Sequence, residues 1–267
     1  MMKMKKNWNL IIGLSITGVI LTAAVAAQFW TPYSVTEMDA SSVNLAPSLV
    51  HLMGTDNFGR DVFSRTLNGI GITFLTASLA VAIGAFAGIL LGAVTGYYGG
   101  LFDELVMGVV NMILAFPSIL LALIFISFLG VGTGNLIAAL GILYIPPFVR
   151  IVRSEMIRCR DLDFVRSARV MGVGTGRIIY SHILPNALIS ILSTLTVTFN
   201  NAVLSEAGMS YLGLGVQPPV PSLGRMLSEA QPYLGINPWY GIFPGLLILL
   251  LILGIALVNE GLQREKA

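Results

Sequence analysis

Two histidines, one cysteine, a glutamate beside a long apolar run and two glycine motifs are the places where this sequence of 267 residues offers chemistry. His51 and His182 are expected at opposite sides of whatever the apolar runs cross, which excludes a metal site built from both. Cys159 has no partner for an intrachain disulfide and reads as a reduced structural thiol, because a reactive one needs a lowered pKa. Gly208-Met209-Ser210-Tyr211-Leu212 begins like a nucleophile elbow, but Leu212 stands where the second glycine belongs. Gly172-Val173-Gly174-Thr175-Gly176 has the glycines of a phosphate loop, but no Lys-Ser/Thr pair follows it and no βαβ unit surrounds it. A membrane-embedded enzyme therefore lacks a nucleophile–base pair. The chain is not expected to hydrolyse ATP itself, and no metal or cofactor is assigned to it.

The remaining concentration of function is basic. Seven of fifteen Lys/Arg residues lie between Arg150 and Arg177. Within this segment run Arg166-Ser167-Ala168-Arg169-Val170-Met171-Gly172, then Arg177, then His182-Ile183-Leu184-Pro185-Asn186. Asp163, just before Phe164, is suited to cap a short helix. Arg166 stands where a capping box would need Glu or Gln. Gly172 is suited to end the helix in a left-handed conformation, and Pro185 to sit in the first turn of the next one. The expectation is a short surface helix tied covalently to the two apolar runs that flank it.

The elements that position this segment follow from composition. The chain is 55% hydrophobic and 10% charged, where soluble domains are nearer a quarter charged. Runs of about 20 apolar residues match a hydrocarbon core about 30 Å thick. Six spans are expected, at about 10–30, 72–96, 104–129, 131–150, 187–207 and 239–259, which makes the chain an all-α polytopic membrane protein forming a single domain over 1–267. An outer segment at 31–71, a cytoplasmic loop at 151–186 and a Gly/Pro-rich outer loop at 208–238 separate them. Lys3, Lys5 and Lys6 precede the first run, and Ala24-Val25-Ala26 imitates a signal-peptidase site. The run is longer than the 7–15 residues of a signal h-region, so a retained span is expected. With the N-terminus in the cytoplasm, twelve Lys/Arg lie inside and three (Arg60, Arg65, Arg225) outside, as the positive-inside rule requires. Both termini are then cytoplasmic. No basic patch stands apart from this pattern, which sets nucleic-acid binding aside.

Two spans carry a periodic signal. In the second, Thr76, Ala80, Gly84, Gly88, Gly92 and Gly96 place a small residue at every fourth position, which lets another helix approach closely. In the fifth, Ser190, Thr194, Thr198, Asn201 and Ser205 fall within an arc of about 80°. Lipid penalises such a face, so these five residues are candidates for lining a pathway; interhelical polar contacts are the alternative. Glu206 is expected at the outer end of that span. The spans otherwise hold almost no charge, which argues against an ion-coupled carrier. A stand-alone channel or carrier remains the alternative function.

Arg166-Ser167-Ala168, Gly172 and Leu184-Pro185 match the spacing of the "EAA" loop of ABC-importer permeases. His182-Ile183-Leu184-Pro185-Asn186 resembles the end of that loop in the peptide/nickel branch. Gly54-Thr55-Asp56-Asn57-Phe58-Gly59-Arg60-Asp61, Ala115-Phe116-Pro117, and Glu206-Ala207-Gly208-Met209-Ser210-Tyr211-Leu212-Gly213-Leu214-Gly215 with Pro218-Pro219 fit the same branch. The chain thus resembles a C-type permease of that family over nearly its whole length. The resemblance implies a type I ABC-importer permease fold in the inner or plasma membrane of a prokaryote. It implies a second homologous permease, two ABC ATPase subunits that bind ATP and Mg, and an extracytoplasmic substrate-binding protein. Asp163, Phe164, Arg166, Ser167, Ala168, Gly172, His182, Leu184 and Pro185 become the coupling loop that meets the ATPase. Glu206, Ser210, Pro218 and Pro219 become outer gate or binding-protein contacts. This chain departs from the pattern at Arg166 and Ser167, where the family has Glu and Ala. The branch handles peptides and nickel or other metal chelates, which leaves the substrate open.

Overall fold

The computed structural model describes residues 7–264. Lys3, Lys5, Lys6 and Lys266, used in the charge argument, lie outside the described residues. The fold is helical: α1 (Trp8–Phe29), α2 (Val62–Tyr98), α3 (Gly100–Leu114), α4 (Ser118–Leu129), α5 (Thr133–Leu143), α6 (Ile145–Cys159), α7 (Asp163–Val170), α8 (Thr175–Arg177), a π-helical turn at Ile178–Ile183, α9 (Leu184–Tyr211), α10 (Leu223–Ala230) and α11 (Trp239–Arg264).

Five helices are long and apolar enough to cross a membrane, and α3 with α4 forms a sixth, bent segment. The expected span at 104–129 is therefore broken: its halves meet at 97°. Ala115-Phe116-Pro117 causes the break. Pro117 lacks an N–H and disfavours a helical Phe116. The bent pair still carries the chain from one end of the bundle to the other. It starts beside Tyr98 at the foot of α2 and ends at Gly132, whose N–H lies 3.5 Å from the Leu214 carbonyl at the far end of α9.

Other expected ends were too short. Asp61 caps α2 by accepting from the Ser64 N–H at 2.7 Å, so the helix begins ten residues before the apolar run. The fourth span runs as α5 and α6 over Thr133–Cys159, bending at Tyr144 before Pro146 and Pro147. The fifth is continuous with α8 and the π turn, from Thr175 to Tyr211. Pro185 cannot donate to an i−4 carbonyl, and just ahead of it the Leu184 N–H reaches back five residues to Ile179.

The small-residue stripe of α2 is filled by α6. Gly84 meets Tyr144, Gly88 meets Phe148, Gly92 meets Val152 and Gly96 meets Met156. A Cβ on Gly88 would lie 2.5 Å from the Phe148 Cβ, so the neighbour of the stripe is in this chain and touches backbone. The residue numbers rise together, so α2 and α6 are parallel. α1 and α11 are antiparallel: Gly13 lies against Gly254 and Val258, and Leu10 against Gly261. The main core includes side chains of α1, α2, α4, α5, α6, α9, α10 and α11. Every element thus has a defined end. Residues 99–103, 160–183 and the outset of α1 lie at one end, and 30–61 and 212–238 at the other.

Candidate coupling surface and pathway face

α7 is built as the sequence requires, with one change at its start. Leu162 occupies the cap position and no side chain caps the helix, so Asp163 sits in the first turn, where its charge complements the helix dipole. Gly172 adopts φ +79°, and the end is a full Schellman motif. The Val173 N–H donates to Ala168 at 3.0 Å and the Gly172 N–H to Arg169 at 3.1 Å. Val165 and Ala168 are buried in a second core with Val152, Met156 and Cys159 of α6 and Ile178, Ile183, Ala187 and Ile191 of the fifth span. Asp163, Phe164, Arg166 and Ser167 point outward, with Phe164 40% exposed. Arg169 stacks over Tyr97 and donates to its hydroxyl at 3.2 Å, fixing α7 to the foot of α2. His182 and Leu184 are half-buried and Pro185 is exposed; the Asn186 amide donates to the His182 carbonyl at 2.6 Å. α7 therefore offers one face outward and grips two spans with the other.

The polar arc of α9 splits between two uses. Ser190 donates to Glu155 at 2.7 Å, and Ser205 lies 3.1 Å from the Tyr144 hydroxyl. Both tie α9 to α6. Thr198 is 3% exposed. Thr194 and Asn201 remain accessible, Thr194 at a pocket it shares with Leu114, Pro147, Arg150, Ile151 and Ser154. Of the five expected lining residues only Thr198 is enclosed; Asn201 is exposed, and Ser190, Thr194 and Ser205 are partly exposed, with Ser190 and Ser205 also bonded across to Glu155 and Tyr144. Glu155 of α6 and Tyr144, just before it, thus supply polar partners at the two ends of the arc.

The outer candidates also divide. Glu206 and Ser210 are fully buried, and the Ser210 hydroxyl donates to Glu206 at 2.7 Å. Thr73 and Ser222 also help to hold this carboxylate. Both side chains are enclosed in this state, so of the two expected roles direct contact with a binding protein does not fit them; they fasten α9 to α2 and α10. Pro218 and Pro219 are exposed.

Sequence reasoning missed the largest polar cluster. Glu229 of α10 accepts from Arg60, Arg65 and Arg225, each at 3.1 Å, and from the Tyr240 hydroxyl at 2.8 Å. Arg60 also pairs with Asp56 at 2.6 Å. Burial pushes the Glu229 pKa up, but the Tyr240 hydroxyl and the arginines outweigh it and hold the carboxyl below its ordinary value. Burial likewise opposes the Arg60 charge, and Asp56 reverses the effect. The one available signal was three arginines, Arg60, Arg65 and Arg225, in segments expected on the opposite side from the other arginines. Among the described residues no group of three or more His, Cys, Asp or Glu side chains is placed to hold a metal.

A bundle of five long apolar helices and one bent pair, with a short exposed helix at its arginine-rich end, has the architecture of a polytopic membrane protein. Residues 88–266 match the family described as "Binding-protein-dependent transport system inner membrane component", and the chain belongs to it. It is 38% identical over 261 residues to the dipeptide transport system permease protein DppC of Alkalihalophilus pseudofirmus, covering 98% of this chain and 86% of the relative. It is 38% identical over 248 residues to the glutathione transport system permease protein GsiD of Pectobacterium atrosepticum, covering 92% and 82%. A methionine ABC transporter solved in inward-facing conformations shares the fold, with TM-score 0.58 and 22% identity over 77% of this chain and 94% of that one. The chain is an ABC-importer permease of the inner membrane, as the resemblance implied.

Proposed function

We propose that this chain is the C-type half of a heteromeric importer of short peptides. The relatives named for dipeptide and glutathione transport support that substrate class over metal chelates. A second, homologous permease completes the pathway. Two cytoplasmic ATPases, which hold ATP and Mg, receive the exposed face of α7. A binding protein delivers the peptide over 212–238, where Pro218 and Pro219 are presented. The termini and the basic end face the cytoplasm of a prokaryote.

The observation that carries this reading is the double attachment of α7. Its outer face is free, while Val165 and Ala168 lock it to α6 and to the fifth span. A displacement of α7 by the closing ATPases is then imposed on both helices. That rocking opens and closes the face bearing Thr194 and Asn201. Arg166 sits on the free face with no partner of its own among the described residues, which suits an acidic position on the ATPase.

The test is reconstitution of the complex with its neighbouring gene products and measurement of vanadate-sensitive dipeptide uptake. Gly172→Pro cannot adopt φ +79° and removes the N–H given to Arg169. It is expected to abolish uptake, as is joint replacement of Asp163 and Phe164, while the subunit stays inserted. Normal ATP-coupled uptake in both variants overturns the coupling assignment.

A further inference from the structure

Two arginines of α6, one turn apart, reach toward α3 and meet different partners. Arg153 forms a two-pronged ion pair with Asp103, with both N–O distances 2.6 Å. Arg150, an exposed residue, meets only the Asn111 amide oxygen among the described residues, at 3.0 Å. One charge is therefore neutralised and the other is not. The one carboxylate on α6, Glu155, is engaged by Arg158 and Ser190. Arg150 lies about 13 Å inside the α6 end at Cys159, within a span of mean hydropathy 1.7. An uncompensated cation at that depth is costly unless it faces a water-filled route or an anion.

What it faces is a pocket of about 480 Å³ between α3, α6 and α9. Leu114, Pro147 and Ile151 form its apolar wall, and Ser154 and Thr194 line it as well, their hydroxyls donating to the Ile151 and Ser190 carbonyls at 2.9 Å in this state. A guanidinium carries five N–H donors in a planar fork that matches a carboxylate, and the Asn111 bond occupies one of them.

We propose that Arg150, with Ser154 and Thr194, is an oxyanion station in the inner half of the pathway, and that it takes the C-terminal carboxylate of the transported peptide. This rests on the peptide reading above. The apolar wall then receives the last side chain of the peptide without selecting it strongly. A lipid phosphate offers the same oxyanion chemistry and is the competing source.

The test uses Thr194→Cys in the assembled complex, in inside-out vesicles; the single native thiol, Cys159, is buried. The rate of modification by a polar thiosulfonate reagent is followed with a dipeptide or with its C-terminal amide. The free acid is expected to slow modification several-fold and the amide to leave it unchanged. Adding Arg150→Gln should abolish the protection, and Arg150→Lys should retain part of it. Equal protection by acid and amide, or protection that survives Arg150→Gln, overturns the proposal. So does modification slowed by anionic lipid, compared with phosphatidylcholine alone, and indifferent to peptide. Dipeptide uptake by the same vesicles separates the two readings. Uptake without acid-specific protection sinks the station alone, and absence of any peptide uptake sinks both.

Discussion

Ser190 of α9 donates a 2.7 Å hydrogen bond to Glu155 of α6, and the same carboxylate holds Arg158 at 2.5 Å. The helices on either side of α7 are thereby joined one level above it. Ser190→Ala is expected to cost about 1.5–3 kcal/mol, the net worth of a hydrogen bond to a charged group. Glu155→Ala should cost more, because it removes the Ser190 bond together with the ion pair to the exposed Arg158. A double-mutant cycle read by thermal melting in detergent checks whether the two losses couple; simple additivity would deny the pairing.

Gly88→Val and Gly96→Val are expected to destabilise the subunit by several kcal/mol each, beyond the roughly 1–3 kcal/mol typical of overpacking in a yielding core. The atoms in the way are largely backbone and Cβ: a Gly96 Cβ would fall 2.6 Å from both the Arg153 carbonyl oxygen and the Met156 Cβ. Gly108→Val is the control, since nothing lies within 4 Å of that position. Melting temperatures of the purified variants decide; parity with Gly108→Val would mean that the helices part more easily than their contacts imply.

Glu229→Gln is expected to destabilise the cluster by roughly 1–3 kcal/mol, because it removes one of the two carboxylates that Arg60 and Arg65 share and leaves Asp56 as the other. The pH dependence follows from the lowered pKa of Glu229. Its stabilisation is complete above the ordinary value of 4.5 and is lost as pH falls through the lower, folded-state value. Melting of the wild type should therefore weaken below about pH 4.5, and the Gln variant should lose that part of the pH slope. An unchanged slope in the variant would assign the acid sensitivity to another carboxylate.

Asn201→Cys is expected to react with a polar thiol reagent on the order of tenfold faster than Thr198→Cys in the resting complex, since buried sites react only after local opening. Thr198 is almost enclosed whereas Asn201 is exposed. Equal rates would restore Thr198 to the pathway wall.

The apolar runs were legible because lipid imposes them: five form long helices, and the third forms the bent pair α3–α4. Their ends were not, because helix continues wherever polar groups find partners. The foot of α6 holds Arg153, Glu155 and Arg158, and each is paired. α7 was legible through Gly172, whose positive φ is a local demand. The α9 arc was half legible: period placed the five polar residues on one face but could not say that Tyr144 and Glu155 stood opposite. The Glu229 cluster was hidden because its arginines are 164 and 169 residues away in the chain. Glu206 was misplaced for a related reason. Its position at a helix end suggested the surface, while α10 folds over it so closely that a Cβ on Gly224 would strike Ala207.

The glycine notches of α2 act as detents. Each holds one α6 side chain, and the next notch lies one helical turn, about 5–6 Å, along the axis. Any smaller slip drives Phe148 or Met156 into the backbone of α2. These two helices therefore travel as a single plate, and the working stroke must be taken up at its margins, by the bent pair α3–α4 and by α9.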